Sequence, residues 1–255
     1  MEQAGVKVIE FDSIGSTSLH AREMLRRGEI DLSRVTVLVA AAQTGGVGQR
    51  GRAWASPRGG VWMTLVMGAG AARGVEPFGA ALGLRIGRAM LGGVDWALRG
   101  SGMLAALKLP NDVVINGKKV AGVLSEIVES AGKPVALVGV GINADFGVEE
   151  LPEILRQTAT TLRAVRGGAV DVTGLRDVLI ARLEQELRAR PIAAEVIAEI
   201  TPRLAGIGTS GPVTLADGRR EVGVLRGLSP AGHAVYEVGG ARVEIASGRP
   251  EETMR

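Results

Sequence analysis

The sequence predicts an α+β fold, with a mixed or antiparallel sheet in a larger domain over 1–205 and a small β-barrel over 206–255. Three observations lead there. Between 112 and 142 the order is strand, hairpin, strand, which fits antiparallel pairing. The dipeptide Asn116-Gly117 lies between two apolar runs, a strong short-range hairpin signal. After Gly206 the pattern changes to four short strands at regular spacing, the signature of a small all-β unit.

Residues 6–11 read as a strand. Residues 13–18 form a polar turn, and Ser16 or Thr17 caps a helix that runs to Arg27 and stops at Gly28. The continuous apolar run 35–42 marks a buried strand. A Gly- and Arg-rich loop over 43–60 leads into a strand over 61–67. The segment 78–91, opening at Phe78, is apolar nearly all round with Arg85 and Arg88 as its charged positions, and reads as a mostly buried helix. Strands over 112–115 and 119–124 flank the hairpin turn, and 134–142 supplies another. Residues 172–188 and 193–204 read as helices, with Pro191 between them. The tail strands, 213–215, 221–225, 234–238 and 241–245, are separated by Asp217-Gly218, by 229–232 and by Gly239-Gly240. A unit of about 50 residues buries too little surface to be strongly stable alone, so it is expected to lean on the main domain.

Composition removes several chemistries. Cysteine is absent, which excludes disulfides, thiol nucleophiles and thiolate metal sites. The only histidines, His20 and His233, are far apart, so a histidine-built zinc site is improbable and no protein-held metal is expected. A net charge of +3 from 30 basic and 27 acidic residues is too balanced to argue for nucleic acid, and aromatics at 3% are too few for base-stacking platforms. The first five residues carry no signal-peptide pattern, and no apolar run reaches the roughly 18 residues of a membrane helix. A cytoplasmic enzyme or binding protein without membrane contact is the expectation.

Three segments concentrate candidate chemistry. Gly46-Val47-Gly48-Gln49-Arg50-Gly51 spells the dinucleotide-binding pattern, but Arg52-Ala53-Trp54-Ala55-Ser56-Pro57 opens no helix and the next acidic residue is Glu76, so that reading is rejected. It remains either a plain connector or an anion cradle of backbone N–H groups with Arg50 and Arg52 beside them. Gly139-Val140-Gly141-Ile142-Asn143 is a second glycine-rich run that opens no helix. In Lys108-Leu109-Pro110-Asn111-Asp112, Asn111 and Asp112 are either turn formers or groups that orient a polar substrate or a metal ion. Lys118 and Lys119 follow the hairpin turn, and strand alternation lets only one face a given site. If Val120 and Leu124 share a face, Lys118 joins them and Lys119 lies with Ala121 and Val123. Ala121 and Gly122 are small enough to leave room for a ligand beside Lys119. Two solvated edge lysines are the commoner outcome of such a pair. Yet the chain uses 25 arginines against 5 lysines, so each lysine is a minority choice.

Taken together and in order, these segments resemble the biotin protein ligases. The family pattern runs G-R-G-R-x-G-R-x-W, then K-W-P-N-D with K-x-x-G-I-L-x-E, then G-x-G-x-N. The matching residues are Gly46 to Trp54, Lys108 to Asp112, Lys119 to Glu126, and Gly139 to Asn143, with Ser16-Thr17-Ser18 at the family's early S-T-N. The resemblance implies a catalytic domain like that of class II aminoacyl-tRNA synthetases followed by an SH3-like barrel. Some members carry an N-terminal DNA-binding domain; with the first motif at residue 16 there is no room for one, and no DNA partner is expected. The implied activity uses biotin, ATP and Mg²⁺ brought with ATP. Biotinyl-5'-AMP is formed and the biotinyl group passes to a lysine of a biotin carboxyl carrier protein domain. A homodimer is a further expectation from the family.

By the same resemblance Lys119, Arg50, Arg52 and Asp112 are the catalytic candidates. Lys119 would bridge the biotin carboxylate and a phosphate oxygen. Ser16, Thr17 and Gln43 would hold the ureido group, Trp54 would shield the adenylate, and Asp112 and Asn143 would orient the nucleotide or the intermediate. Ser18, Gly46, Val47, Gly48, Gln49, Gly51, Asn111, Gly122, Leu124, Gly139 and Gly141 complete the substrate-binding set. The chain departs from the pattern at Val47 and Gln49, where the family has arginines, at Leu109 for Trp and at Ser18 for Asn. The second missing arginine helps hold the adenylate in the family, so its loss implies a leaky intermediate unless Arg50 or Arg52 takes over. Two other readings are a lipoate–protein ligase, which shares the chemistry, and a non-catalytic biotin-binding protein; retained Lys119 argues against the second.

Overall fold

The computed structural model describes residues 6–68, 80–188 and 193–245. Among them, seven strands form one mixed sheet in the order β1-β2-β3-β7-β6-β5-β4. These are β1 (Val6–Phe11), β2 (Val35–Ala40), β3 (Val61–Gly68), β4 (Ala106–Lys108), β5 (Asp112–Ile115), β6 (Lys118–Ser130) and β7 (Lys133–Ile142). β1 and β2 pair in parallel and every other neighbour is antiparallel, as the hairpin signal predicts. The helices are α1 (Thr17–Arg26), α2 (Ala80–Ala97), α3 (Leu162–Arg166), α4 (Val172–Arg188) and α5 (Ala193–Ile200).

β2 and β3 are buried at every position because both faces of the sheet are covered. On one face α1 packs Ala21 and Leu25 against Leu38, Val66, Val135 and Leu137. On the other, α2 and α4 enclose the main core, with Ile86, Met90, Leu175 and Leu179 against Val37, Met63, Leu65 and Val138. Ser16 caps α1 from a β conformation, and Gly28 takes the left-handed turn (φ +70°) just beyond its end. The two arginines of the apolar helix have a structural role. Arg88 donates to both carboxylate oxygens of Glu186, at 2.8 and 2.9 Å, and to Glu199, clamping α2 to α4 and α5. Arg85 is buried 3.6 Å from the same Glu186, and that burial pushes its guanidinium below the usual range.

Several sequence expectations change. The second helix runs on through Gly92 and Gly93 to Ala97, beyond the expected end at Leu91; Phe78 lies outside the described residues, as do Pro191 and 246–255. α5 stops at Ile200 and a 3₁₀ turn, Thr201–Arg203, follows, because Pro202 has no N–H to continue the helix. β2 ends at Ala40, two residues early. β4 and α3 carried no recognisable signal: each is five residues or fewer. The tail strands are β8 (Ser210–Thr214), β9 (Arg220–Leu228), β10 (Ala234–Val238) and β11 (Ala241–Ile245). They form a separate antiparallel four-stranded sheet in the order β11-β10-β9-β8, and among the described residues its two end strands do not pair to close a barrel. Its Leu225 and Ala234 belong to the same buried cluster as the main core, so this small sheet does lean on the large one.

Candidate active site

A cleft of about 510 Å³ opens over the middle of the large sheet, on the face that α1 covers. Its floor depends on a glycine pair. Gly122 of β6 and Gly141 of β7 are direct cross-strand partners. The indole of Trp54 lies against both: a Cβ on Gly141 would come 2.7 Å from the indole nitrogen, and one on Gly122 would come 3.2 Å from the ring. That indole N–H is buried and has no hydrogen-bond partner. Lys119 completes the group, with its Nζ 4.9 Å from the Trp54 ring centre and 2.6 Å from Asp112 Oδ1.

Lys119 reaches this cleft by a route that strand alternation misses. The β5–β6 register shifts, so that Val113 faces Ala121 while Val114 faces Lys119. Val120 is the additional residue of a β-bulge. Val120 and Ala121 both join the core, and Lys119 falls beside Gly122 instead of with Ala121 and Val123. The bulge is held from outside the hairpin. Beyond the end of β7, residues 158–160 take its place along β6: the Lys119 N–H donates to the Thr158 carbonyl and the Thr160 N–H to the Lys119 carbonyl. Lys118 is exposed.

At the other end of the cleft the N-terminus of α1 presents Ser16, Thr17 and Ser18. The Thr17 N–H, one of the donors that a first helical turn leaves unpaired, donates to Gln43 Oε1 at 2.8 Å. The Thr17 hydroxyl donates to the same oxygen at 3.0 Å, and Gln43 Nε2 donates to Ser56 Oγ at 2.8 Å. A Cβ on Gly139 would meet Ser18 Oγ at 2.9 Å, so glycine there lets the helix end approach the strand. Between the two ends Leu124 supplies an apolar side chain, while Met63, Val123 and Val140 border the cleft from positions whose side chains join the core on the other face.

Of the residues the sequence singles out, Arg52, Val47, Gly48, Gln49, Asn111 and Asn143 also line the cleft. Three do not. Arg50 is exposed, in the left-handed region at φ 58°, and is not among the lining residues. Gly51 (φ +70°) makes the tight turn with it. Gly46 lies where a Cβ would stand 2.5 Å from the Trp54 carbonyl, so it shapes the loop from behind. Asn111 and Asn143 hold the frame: the Asn111 side chain donates to the Val123 carbonyl, and Asn143 donates to the Thr160 carbonyl at 3.0 Å. The sequence reading missed Leu155, Gln157, Thr158 and Ala159, which line the cleft beside Lys119. Nothing in their types or spacing marks them; only the bulge brings them there. Of the charged groups lining the cleft, Arg52, Lys108 and Lys119 face a single carboxylate, Asp112, so the site favours anions.

Comparison with known proteins agrees with this geometry. The family model described as "Biotin/lipoate A/B protein ligase family" matches residues 17–143, the stretch that supplies most of the cleft lining. The biotin–[acetyl-CoA-carboxylase] ligase of Mycobacterium tuberculosis is 30% identical over 248 residues, covering 94% of this chain and 87% of that protein. The chain belongs to the biotin/lipoate A/B protein ligase family. The bifunctional ligase/repressor BirA of Bacillus subtilis is 31% identical over 189 residues, and the match covers 73% of this chain but only 55% of that relative. Among solved structures, the biotin protein ligase of Aquifex aeolicus in complex with biotin and ATP superposes with a TM-score of 0.78 at 28% identity, covering 95% of this chain and 96% of that one. The family match and the sequence resemblance therefore fall on the same segments.

Proposed function

We propose that the chain joins biotin to a lysine of a biotin carboxyl carrier domain in two steps. In the first, a biotin carboxylate oxygen attacks the α-phosphorus of ATP; the bond to the β-phosphate oxygen breaks, and pyrophosphate leaves. In the second, the neutral amine of the carrier lysine attacks the acyl carbon of biotinyl-5'-AMP, AMP departs with the bonding pair, and the amine loses a proton. The observation that carries this reading is Lys119 set by a β-bulge over a glycine floor, between a polar helix end and a cationic loop.

The physical difficulty is bringing a carboxylate to a polyanion. Fixed cations in a partly desolvated cleft offset that repulsion and hold the reacting groups in line. Lys119 bridges the two anions, replacing its contact with Asp112. Arg52 and Lys108 supply further charge at the rim, while exposed Arg50 acts through the shape of the loop. Mg²⁺ suits this donor set as an ion carried by ATP, since the cleft lining contributes one carboxylate, Asp112, and Mg²⁺ is commonly held by one or two carboxylates plus substrate phosphates. When bound it neutralises phosphate charge and assists pyrophosphate departure. Leu124 and the bare backbone at Gly139 accommodate the thiophene ring, and Ser16, Thr17, Ser18 and Gln43 take the ureido group. That polar end favours a cyclic urea over the apolar dithiolane of lipoate.

The same reading extends to architecture. The large sheet with its helices, 1–205, is the catalytic unit of class II aminoacyl-tRNA synthetase type, and 206–255 is an SH3-like appendage. Among the described residues no helix is long and apolar enough to cross a membrane, and we place the reaction in the cytoplasm. Biotin-dependent exchange of labelled pyrophosphate into ATP tests the first step, and a mass gain on a biotin carrier domain tests the second. Folded protein that exchanges with neither biotin nor lipoate would leave only ligand binding, and exchange with lipoate alone would reverse the substrate choice.

A further inference from the structure

Beneath the polar end of the cleft lies a residue that the reading above does not use. Thr64, at the centre of β3, is fully buried and does not line the cleft. Its hydroxyl is 2.8 Å from Thr17 Oγ1 and 2.9 Å from Ser18 Oγ. With Gln43 and Ser56 these groups form one continuous chain of hydrogen bonds, ending where Ser56 donates to the Trp54 carbonyl at 3.1 Å.

Proton counting gives this chain a direction. The Thr17 backbone N–H can only donate, so the Gln43 atom it meets is the carbonyl oxygen, which can only accept. That oxygen also lies 3.0 Å from Thr17 Oγ1, so the Thr17 hydroxyl proton is spent on Gln43. The opposite direction would set two oxygen lone pairs against each other at that distance. Thr17 must then accept from Thr64, and Thr64, its one proton spent, must accept from Ser18. Ser18, its proton engaged by Thr64, is left facing the cleft with lone pairs only. Gln43 Nε2 has given one N–H to Ser56 and keeps the other.

We propose that Thr64 is a positioning residue for substrate choice: by donating to Thr17 and accepting from Ser18, it turns Ser18 into an obligate acceptor toward the ligand. The cleft end then offers an acceptor at Ser18 beside a donor at Gln43, complementary to an N–H and a C=O in one small ring. This inference rests on the biotin reading for the identity of the ring, but the direction of the chain does not. Valine at this position has nearly the shape of threonine and suits a strand, yet it can neither donate nor accept. In that variant Ser18 can turn its proton to the cleft, where it opposes a ligand N–H.

Isothermal titration of wild type, Thr64→Val and Thr64→Ser with biotin, and with the two analogues in which one ureido N–H is replaced by oxygen, tests this. Thr64→Val is expected to weaken biotin binding at least tenfold with ATP affinity unchanged, and Thr64→Ser to stay within threefold of wild type. One of the analogues should bind wild type at least tenfold more weakly than biotin, and that penalty should shrink to under threefold in Thr64→Val. Folded Thr64→Val that keeps wild-type biotin affinity, or that keeps the full analogue penalty, overturns the proposal. Wild type that binds no biotin overturns the biotin reading instead. Ligand-free NMR then decides the direction: a slowly exchanging Thr64 hydroxyl proton is expected close to Thr17, and finding it close to Ser18 overturns the proposal.

Discussion

Replacing Lys119 by methionine removes the amine and keeps most of the stem that lies beside Gly122 and Trp54. The effect on stability should be small. The ion pair with Asp112 joins side chains that are 33% and 24% exposed, so water screens it and it contributes about 0–1 kcal/mol. The contact with the Trp54 ring at 4.9 Å adds about 0.5–1 kcal/mol. For a chain of this size those losses lower the melting temperature by only a few degrees, roughly 2–4 °C per kcal/mol. The effect on chemistry should be far larger. An amine bridging the carboxylate and a phosphate oxygen makes two charge-assisted hydrogen bonds of about 1.5–3 kcal/mol each, so their loss slows adenylation by about 10²–10⁴-fold. Biotin-dependent pyrophosphate exchange measures the rate and thermal unfolding measures the fold. A folded Lys119→Met protein that exchanges within threefold of wild type refutes the assignment of Lys119 as the bridging cation.

Further expectations follow from the same geometry. Gly141→Ala places a methyl 2.7 Å from the Trp54 indole nitrogen, where ordinary contact begins near 3.4 Å, so the indole must lift from the floor. Adenylation should fall about 10–100-fold, with a changed Trp54 fluorescence on ligand addition; unchanged kinetics would show that the floor does not set the reacting geometry. Gln49→Arg restores a cation to a position that lines the cleft, and should lengthen the lifetime of the bound adenylate about 10–100-fold, the worth of one charge-assisted contact. An unchanged lifetime would mean that Arg52 already holds the intermediate. In α1, hydrogen bonds from Arg26 hold the Glu23 carboxyl down at about 2. A depressed carboxyl adds stability above its unfolded value of 4.5 and loses it as pH falls toward 2. Carboxyl titration by NMR should show that low midpoint, and Arg26→Ala should raise it.

Much of the large domain was legible because its signals are local. A capping serine, a left-handed glycine and an Asn-Gly turn each act within a few residues, and α1 and the β5–β6 hairpin follow from them. The cleft was legible as a set of motifs, because Gly122, Gly141 and Trp54 must meet for the glycines to matter. What stayed hidden depends on partners distant in sequence. The bulge that aims Lys119 is held by residues 158–160, nearly 40 positions away, and alternation within β6 alone assigns the wrong neighbours. Arg50 looks like its neighbour Arg52 in the sequence, but a left-handed backbone at residues 50 and 51 sends the two side chains to different places. The role of Thr64 needs the whole hydrogen-bond chain, which spans three separate elements.

A crystal structure of the protein with biotin and a non-hydrolysable ATP analogue tests the central claim most directly. Lys119 Nζ should have left Asp112 and should lie about 2.7–2.9 Å from both a biotin carboxylate oxygen and an α-phosphate oxygen, the usual length of such charged contacts. Ligands bound with Lys119 still on Asp112 and out of reach of either anion would contradict it.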